Sequence, residues 1–132
     1  MHSDGIQGYN ATGSNVIHNV TLIFETECGT SPFYIGYGSG GVGSGNPPIN
    51  TGTYDIDRLL VGGISLFAFR LQVASSVAKL HIVDGSWIPG GGPILNRCSV
   101  INPWDADIVT VDPTYRITST MRDQPCDTEE SE

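Results

Sequence analysis

Residues 62–85, GGISLFAFRLQVASSVAKLHIVDG, constrain this chain more than any other stretch, because they hold its densest run of apolar side chains between glycine fences. Phe67, Phe69, Leu71 and Val73 alternate with Leu66, Ala68, Arg70 and Gln72; beyond Ala74, Ser75 and Ser76 a second run sets Ala78, Leu80 and Ile82 against Lys79, His81 and Asp84. A period of two, rich in aromatic and β-branched residues, builds half-buried strands, and two such runs joined by a short polar segment predict an antiparallel β-hairpin. A helix through Leu71, Ala74, Ala78 and Ile82 is the competing reading; it places two serines mid-helix and sends Phe67 and Phe69 to opposing sides.

The rest of the chain repeats this alternation in shorter pieces. In residues 15–26, Val16, His18, Val20, Leu22 and Phe24 fall on one face and Asn19, Thr21 and Glu25 on the other, and in residues 53–60 Tyr54, Ile56 and Arg58 alternate with Asp55, Asp57 and Leu59. Further short runs at 94–101, 107–111 and 115–121 are set apart by the glycine-rich segment 90–93 and by Asn102-Pro103-Trp104. No segment joins helical periodicity to an N-cap and a C-cap. About seven to nine short strands between glycine and proline turns predict an all-β fold, an antiparallel β-sandwich or jelly roll. No repeat of useful length is visible, which argues against a solenoid. The expected organisation is a flexible arm at 1–14, one domain at 15–121 with a glycine-rich loop at 36–52, and an acidic tail at 122–132.

Charge removes several function classes. The formal charge is -8, with six basic residues, Arg58, Arg70, Lys79, Arg97, Arg116 and Arg122, that form no cluster. Such a surface repels a phosphate backbone, so nucleic acid is not an expected partner. Five of the fourteen acids lie in the last ten residues, which reads as a solvated tail. The opening segment lacks a basic start and an apolar run, so neither a signal peptide nor a membrane span is expected, and Met1 reads as a true start. Cys28, Cys98 and Cys126 are an odd, widely spaced set, expected as free thiols whose reduction leaves stability unchanged.

Motifs with chemistry are few. The strings Gly36-x-Gly38-x-x-Gly41 and Gly38-x-Gly40-x-x-Gly43 satisfy the dinucleotide fingerprint only as text, because Ser44-Gly45-Asn46-Pro47-Pro48 follows where a helix must begin. Asp55-x-Asp57 and Asp105-x-Asp107, with Asp112 nearby, are of a type that ligates Ca²⁺; carboxylates beside turns more often cap the backbone, and no metal site is assigned. His2, His18 and His81 lie far apart, and no serine, histidine and acid stand at a telling spacing, so no catalytic residue or cofactor is expected. Trp87 and Trp104, with Tyr9, Tyr34, Tyr37, Tyr54 and Tyr115, are the raw material of a sugar-stacking platform, or simply plugs for the ends of a β-fold.

The segment that stands out is uncharged. Residues 28–54 contain no Asp, Glu, Lys, Arg or His, and within them the loop 36–52 alternates glycine with Tyr37, Val42, Pro47, Pro48 and Ile49. A long loop with no regular structure is usually functional or disordered, and one without charge desolvates no ion on docking. The expected partner interface is therefore Tyr34, Tyr37, Gly38, Gly40, Val42, Gly45, Pro47, Pro48 and Ile49. A small acidic β-domain with this loop and polar arms resembles, in overall build, the small cement and decoration proteins of tailed-phage capsids. That resemblance covers no diagnostic motif, and no family site residue is carried over. It implies a non-enzymatic homo-oligomer, commonly a trimer, bound to the major capsid protein at the virion surface after assembly in the host cytoplasm. The alternative is a carbohydrate- or receptor-binding β-module of a tail fibre or secreted enzyme.

Overall fold

The computed structural model describes residues 6–8, 11–24, 31–38 and 42–130. Nearly all its regular structure is strand: β1 (Ile6–Gly8), β2 (Ser14–Phe24), β3 (Phe33–Ile35), β4 (Thr53–Gly63), β5 (Ser65–Leu71), β6 (Ser75–Val83), β7 (Trp87–Asn96), β8 (Ile101–Val111) and β9 (Ile117–Asp123), with one 3-10 turn at Cys98–Val100. The arrangement overturns the antiparallel sandwich or jelly roll. Odd-numbered strands form one sheet in the order β1-β3-β5-β7, even-numbered ones a second in the order β2-β4-β6-β8 with β9 at its edge. Every pairing up to β8 is parallel, and the β8–β9 hairpin alone is antiparallel. Consecutive strands never pair until that hairpin, so each strand and its successor make one turn of a coil. The coils stack as a two-sheet parallel β-solenoid, the architecture that the lack of a visible repeat argued against.

Residues 62–85 are accordingly no hairpin. β5 and β6 lie in opposite sheets, and the chain turns the corner at Gln72-Val73-Ala74 with Val73 buried. Phe69 and Leu71 enter the core as expected, Phe67 is half-buried, and Ala68 and Gln72, assigned to the outer face, are buried too. At the other corner Gly63 sits at φ +103 with the Phe24 carbonyl oxygen 1.9 Å from where a Cβ would be, so only glycine fits between β4 and β5 there.

Stacking builds the core in columns. Phe33 pairs with Phe69 and Phe69 with Ile94; Leu22, Val61, Ile82 and Ile108 form another column. The Phe33 and Phe69 rings lie 4.6 Å apart at 9°, an offset-stack distance that parallel in-register pairing enforces. A third column is conformational: Asn19, Arg58 and Lys79 occupy adjacent positions of β2, β4 and β6, and all have positive φ, 57°, 55° and 53°. One left-handed residue per strand bends the sheet and shifts the alternation by one. This corrects the expected face of β2: Ile17, Val20 and Leu22 turn toward the core and Val16 and His18 toward solvent.

The acidic tail is a cap and no solvated arm. Beyond β9, Gln124 N–H donates to Ala106 O, Asn96 N–H to Thr128 O and Glu130 N–H to Asn96 O, which lays the tail along the end of β7. The Glu130 carboxylate accepts from Arg70 and Gln72. Cys98 and Cys126 are joined in a disulfide, overturning their assignment as free thiols; Cys28 lies outside the described residues. The odd cysteine count hid a pair that only the returning tail brings together. β8 also runs unbroken through Asn102-Pro103-Trp104, and β7 through the glycines at 90–92, because bulges absorb these residues without ending the strands.

Candidate functional site

The uncharged loop is held at its root and displayed at its tip. Asn50, buried beneath it, donates through Nδ2 to Gly8 O and Gly36 O, each at 3.1 Å. Thr51 and Gly52 N–H both donate to Ala11 O, and Tyr37 N–H donates to Gln72 Oε1. The Tyr37 hydroxyl donates to Asn46 O at 2.8 Å and folds the loop back upon itself. Residues 43–49 then stand out as an exposed knuckle containing Gly45 at φ +83, Pro47, Pro48 and Ile49, the last 48% exposed.

The interface residues expected from sequence thus divide. Gly45, Pro47, Pro48 and Ile49 lie at the surface together, and Val42 and Gly38 are half-buried at the stem. Tyr34 belongs to β3 and lies beneath the Arg70 guanidinium, 4.3 Å from the ring centroid; Tyr37 is used as an internal strut with Arg97 5.4 Å above it. Both rings are spent on the domain's own packing. Gly40 lies outside the described residues. The loop is less a flexible tether than a short arc clipped to the solenoid.

The other candidates do not converge. His81 Nδ1 meets Asp107 Oδ1 at 2.5 Å and His18 Nε2 meets Asp55 Oδ2 at 3.2 Å, separate pairs on the outer face of the second sheet; the Ser76 hydroxyl donates to Asp55 Oδ1 at 3.3 Å, to the carboxylate and not to the imidazole. Asp57 pairs with Arg58, and Asp105 accepts the Lys79 N–H. Asp112 closes the β8–β9 turn, its carboxylate accepting from the Thr114 hydroxyl and from the Thr114 and Arg116 N–H groups; the Thr114 hydroxyl bond, then the Arg116 one, hold it below the usual carboxylate range. Among the described residues no three histidine, cysteine, aspartate or glutamate side chains are placed to hold a metal ion. Trp104 donates from Nε1 to Gln124 O and tilts against Phe69, while Trp87 sits in the other sheet, so the two indoles form no common platform. No helix among the described residues is long and apolar enough to cross a membrane.

Sequence reasoning missed the corner between the sheets and the state of the edges. Where the strands of the second sheet begin, Asn15, Val16, Tyr54, Asp55, Ser75, Ser76 and Asn102 line a groove of about 490 Å³, and a cleft of about 240 Å³ between Tyr37, Pro48, Gln72, Arg97 and Val100 adjoins it. Tyr54 is buried, with 6% of its surface exposed. Comparison with protein-family models, with curated proteins and with solved structures finds no match to this chain.

Proposed function

We propose that this chain is a non-enzymatic assembly protein that docks through the knuckle at residues 43–49, with a capsid lattice as the partner and decoration of a virion surface as the role. The observation that carries the reading is the exposure of an uncharged, proline-bearing arc whose root is fixed by the Asn50 and Ala11 bonds. A clipped loop has already lost most of its conformational freedom, so docking it costs less entropy than docking a tether. Pro47, Pro48 and Ile49 present apolar area and no ion to desolvate, the make-up of the centre of a protein interface. The Cys98–Cys126 disulfide agrees with working life outside a reducing cytosol, as on a released particle.

The test is cosedimentation with a panel of empty tailed-phage capsids, with a glycan array in parallel. Ile49→Asp changes an exposed side chain and should leave the melting temperature unaltered while weakening lattice binding at least about tenfold, the effect of losing one central apolar contact and desolvating a carboxylate. Binding to glycans with no affinity for capsids, or full capsid binding by Ile49→Asp, would overturn the reading.

A further inference from the structure

Among the described residues the two sheets have four outer edges, β1, β7, β2 and β9, and three of them are blunted. β1 is three residues long, the end of β7 is covered through Asn96 by the returning tail, and β9 carries Arg122 and Asp123. β2 is the exception. It runs for eleven residues, SNVIHNVTLIF, with no proline and no Lys, Arg, Asp or Glu, and among the described residues it pairs with β4 alone. Long, uncharged, β-branched edges are templates for another strand, and native folds normally spoil them.

Burial says the same. Ile17, Val20 and Leu22 of β2 are only half-buried, while Ile56, Leu59 and Val61, in the same columns one coil further on, are each 0% exposed. Among the described residues the second set has a strand on either side and the first on one side only. Val16 is 63% exposed, more than any other large apolar side chain among the described residues.

We propose that a second copy of this chain occupies this edge, its β2 pairing antiparallel with the first about a two-fold axis. The reasons for choosing β2 itself as the partner are charge and shape. A neutral strand sets no like charges against each other when it pairs with its own copy. The bend at Asn19 must also be matched, since a straight strand from another protein diverges from β2 on one side of it. Setting His18 across from Asn19 of the second copy brings the two bends side by side, one residue apart. The same register sets Ile17 against Val20 and Asn15 against Leu22, half-buried with half-buried, and Val16 against Thr21, exposed with exposed. No other register of this strand on itself keeps both the bend and the faces in step. The pairing is isologous and closes at two copies, with both capped ends outward. It uses a surface distinct from the knuckle, which belongs to the connection between β3 and β4.

Light scattering on the purified oxidised protein should give twice the mass of one chain. In Val16→Lys/Thr21→Lys each lysine faces another across the two-fold, and dimerisation should weaken by about tenfold or more with an unchanged circular dichroism spectrum. Val16→Lys/Thr21→Glu replaces those repulsions by attractions in this register only, and should restore the dimer. In a Cys28→Ser background, Val16→Cys/Thr21→Cys should cross-link as a dimer on mild oxidation. A monomer at all soluble concentrations, a trimer, or a dimer indifferent to both charge variants would each overturn the proposal.

Discussion

Breaking the Cys98–Cys126 bond should destabilise the protein by an amount its loop length sets. The two residues are 28 apart in sequence with Cα atoms 5.9 Å apart, and the loop they close contains β8 and β9. Loop-closure entropy for about that many residues is worth roughly 3.5 kcal/mol at 25 °C, a sizeable share of the ~5–15 kcal/mol that holds a domain together. For a chain of this size that lowers Tm by about 10–15 °C. The fold itself should survive, because reduction leaves the Glu130 contacts to Arg70 and Gln72 and the Trp104 bond to Gln124 in place. Calorimetry of Cys98→Ser/Cys126→Ser beside the oxidised parent measures the loss, and hydrogen exchange should place the fastest new exchange at the backbone of 124–130 and β9. Equal Tm values, within about 2 °C, would refute both the loop-entropy argument and the view of the tail as a tethered cap.

Phe69→Ala empties the column between Phe33 and Ile94 and should cost about 3–5 kcal/mol in denaturant unfolding; a cost below about 1 kcal/mol would mean that the stacked rings do not carry the core. Lys79→Asn places a residue that tolerates the left-handed region at an exposed position with φ 53°, and a gain of about 0.5 kcal/mol is expected in the same assay. Asp112 has a depressed pKa, so its contribution is complete above its ordinary value of 3.8 and is lost as pH falls through the lower folded value. The hydrogen-exchange protection of the Thr114–Ile117 amides, measured against intrinsic rates, should therefore fall as pH drops below that ordinary value, and in Asp112→Ala it should be low at every pH.

The strands were legible and their partners were not. Alternation in residues 66–72 and 77–82 reports a strand with one buried face, and a parallel sheet facing another sheet produces the same pattern as an antiparallel one. The discriminating signal lay at the corner. A tight hairpin wants Asn-Gly or a similar pair with positive φ, and Gln72-Val73-Ala74 offers none; a buried Val73 suits a coil corner instead. The repeat stayed hidden because the coils differ in length: from Ile6 to Phe33, Phe69 and Ile94 the steps are 27, 36 and 25 residues, the longest of them carrying the loop at 36–52. Nor does the bend announce itself when Asn, Arg and Lys fill its three positions. The knuckle was readable from lost charge and abundant glycine, whereas its clips depend on Asn50 reaching residues 42 and 14 positions away, contacts that only stacking creates.

The two ends of the solenoid differ in how their last strands are secured, and that difference decides where partners gain most. At the C-terminal end the tail, its disulfide and the Arg70–Glu130 pair already cover the end of β7, so a partner there would displace bonds as it made them. At the other end β2 pairs, among the described residues, with β4 alone and leaves Ile17, Val20 and Leu22 half-buried, so a partner adds contacts there. The knuckle is fastened to this same end, since Ala11, just ahead of β2, accepts the N–H groups of Thr51 and Gly52 at the loop's root and Gly13 accepts that of Thr53. Whatever steadies β2 therefore steadies residues 11–13 and, through them, the base of the knuckle. A second copy on β2 and a lattice on the knuckle would then order one shared segment between them, and the ligand that binds first leaves less entropy for the other to remove.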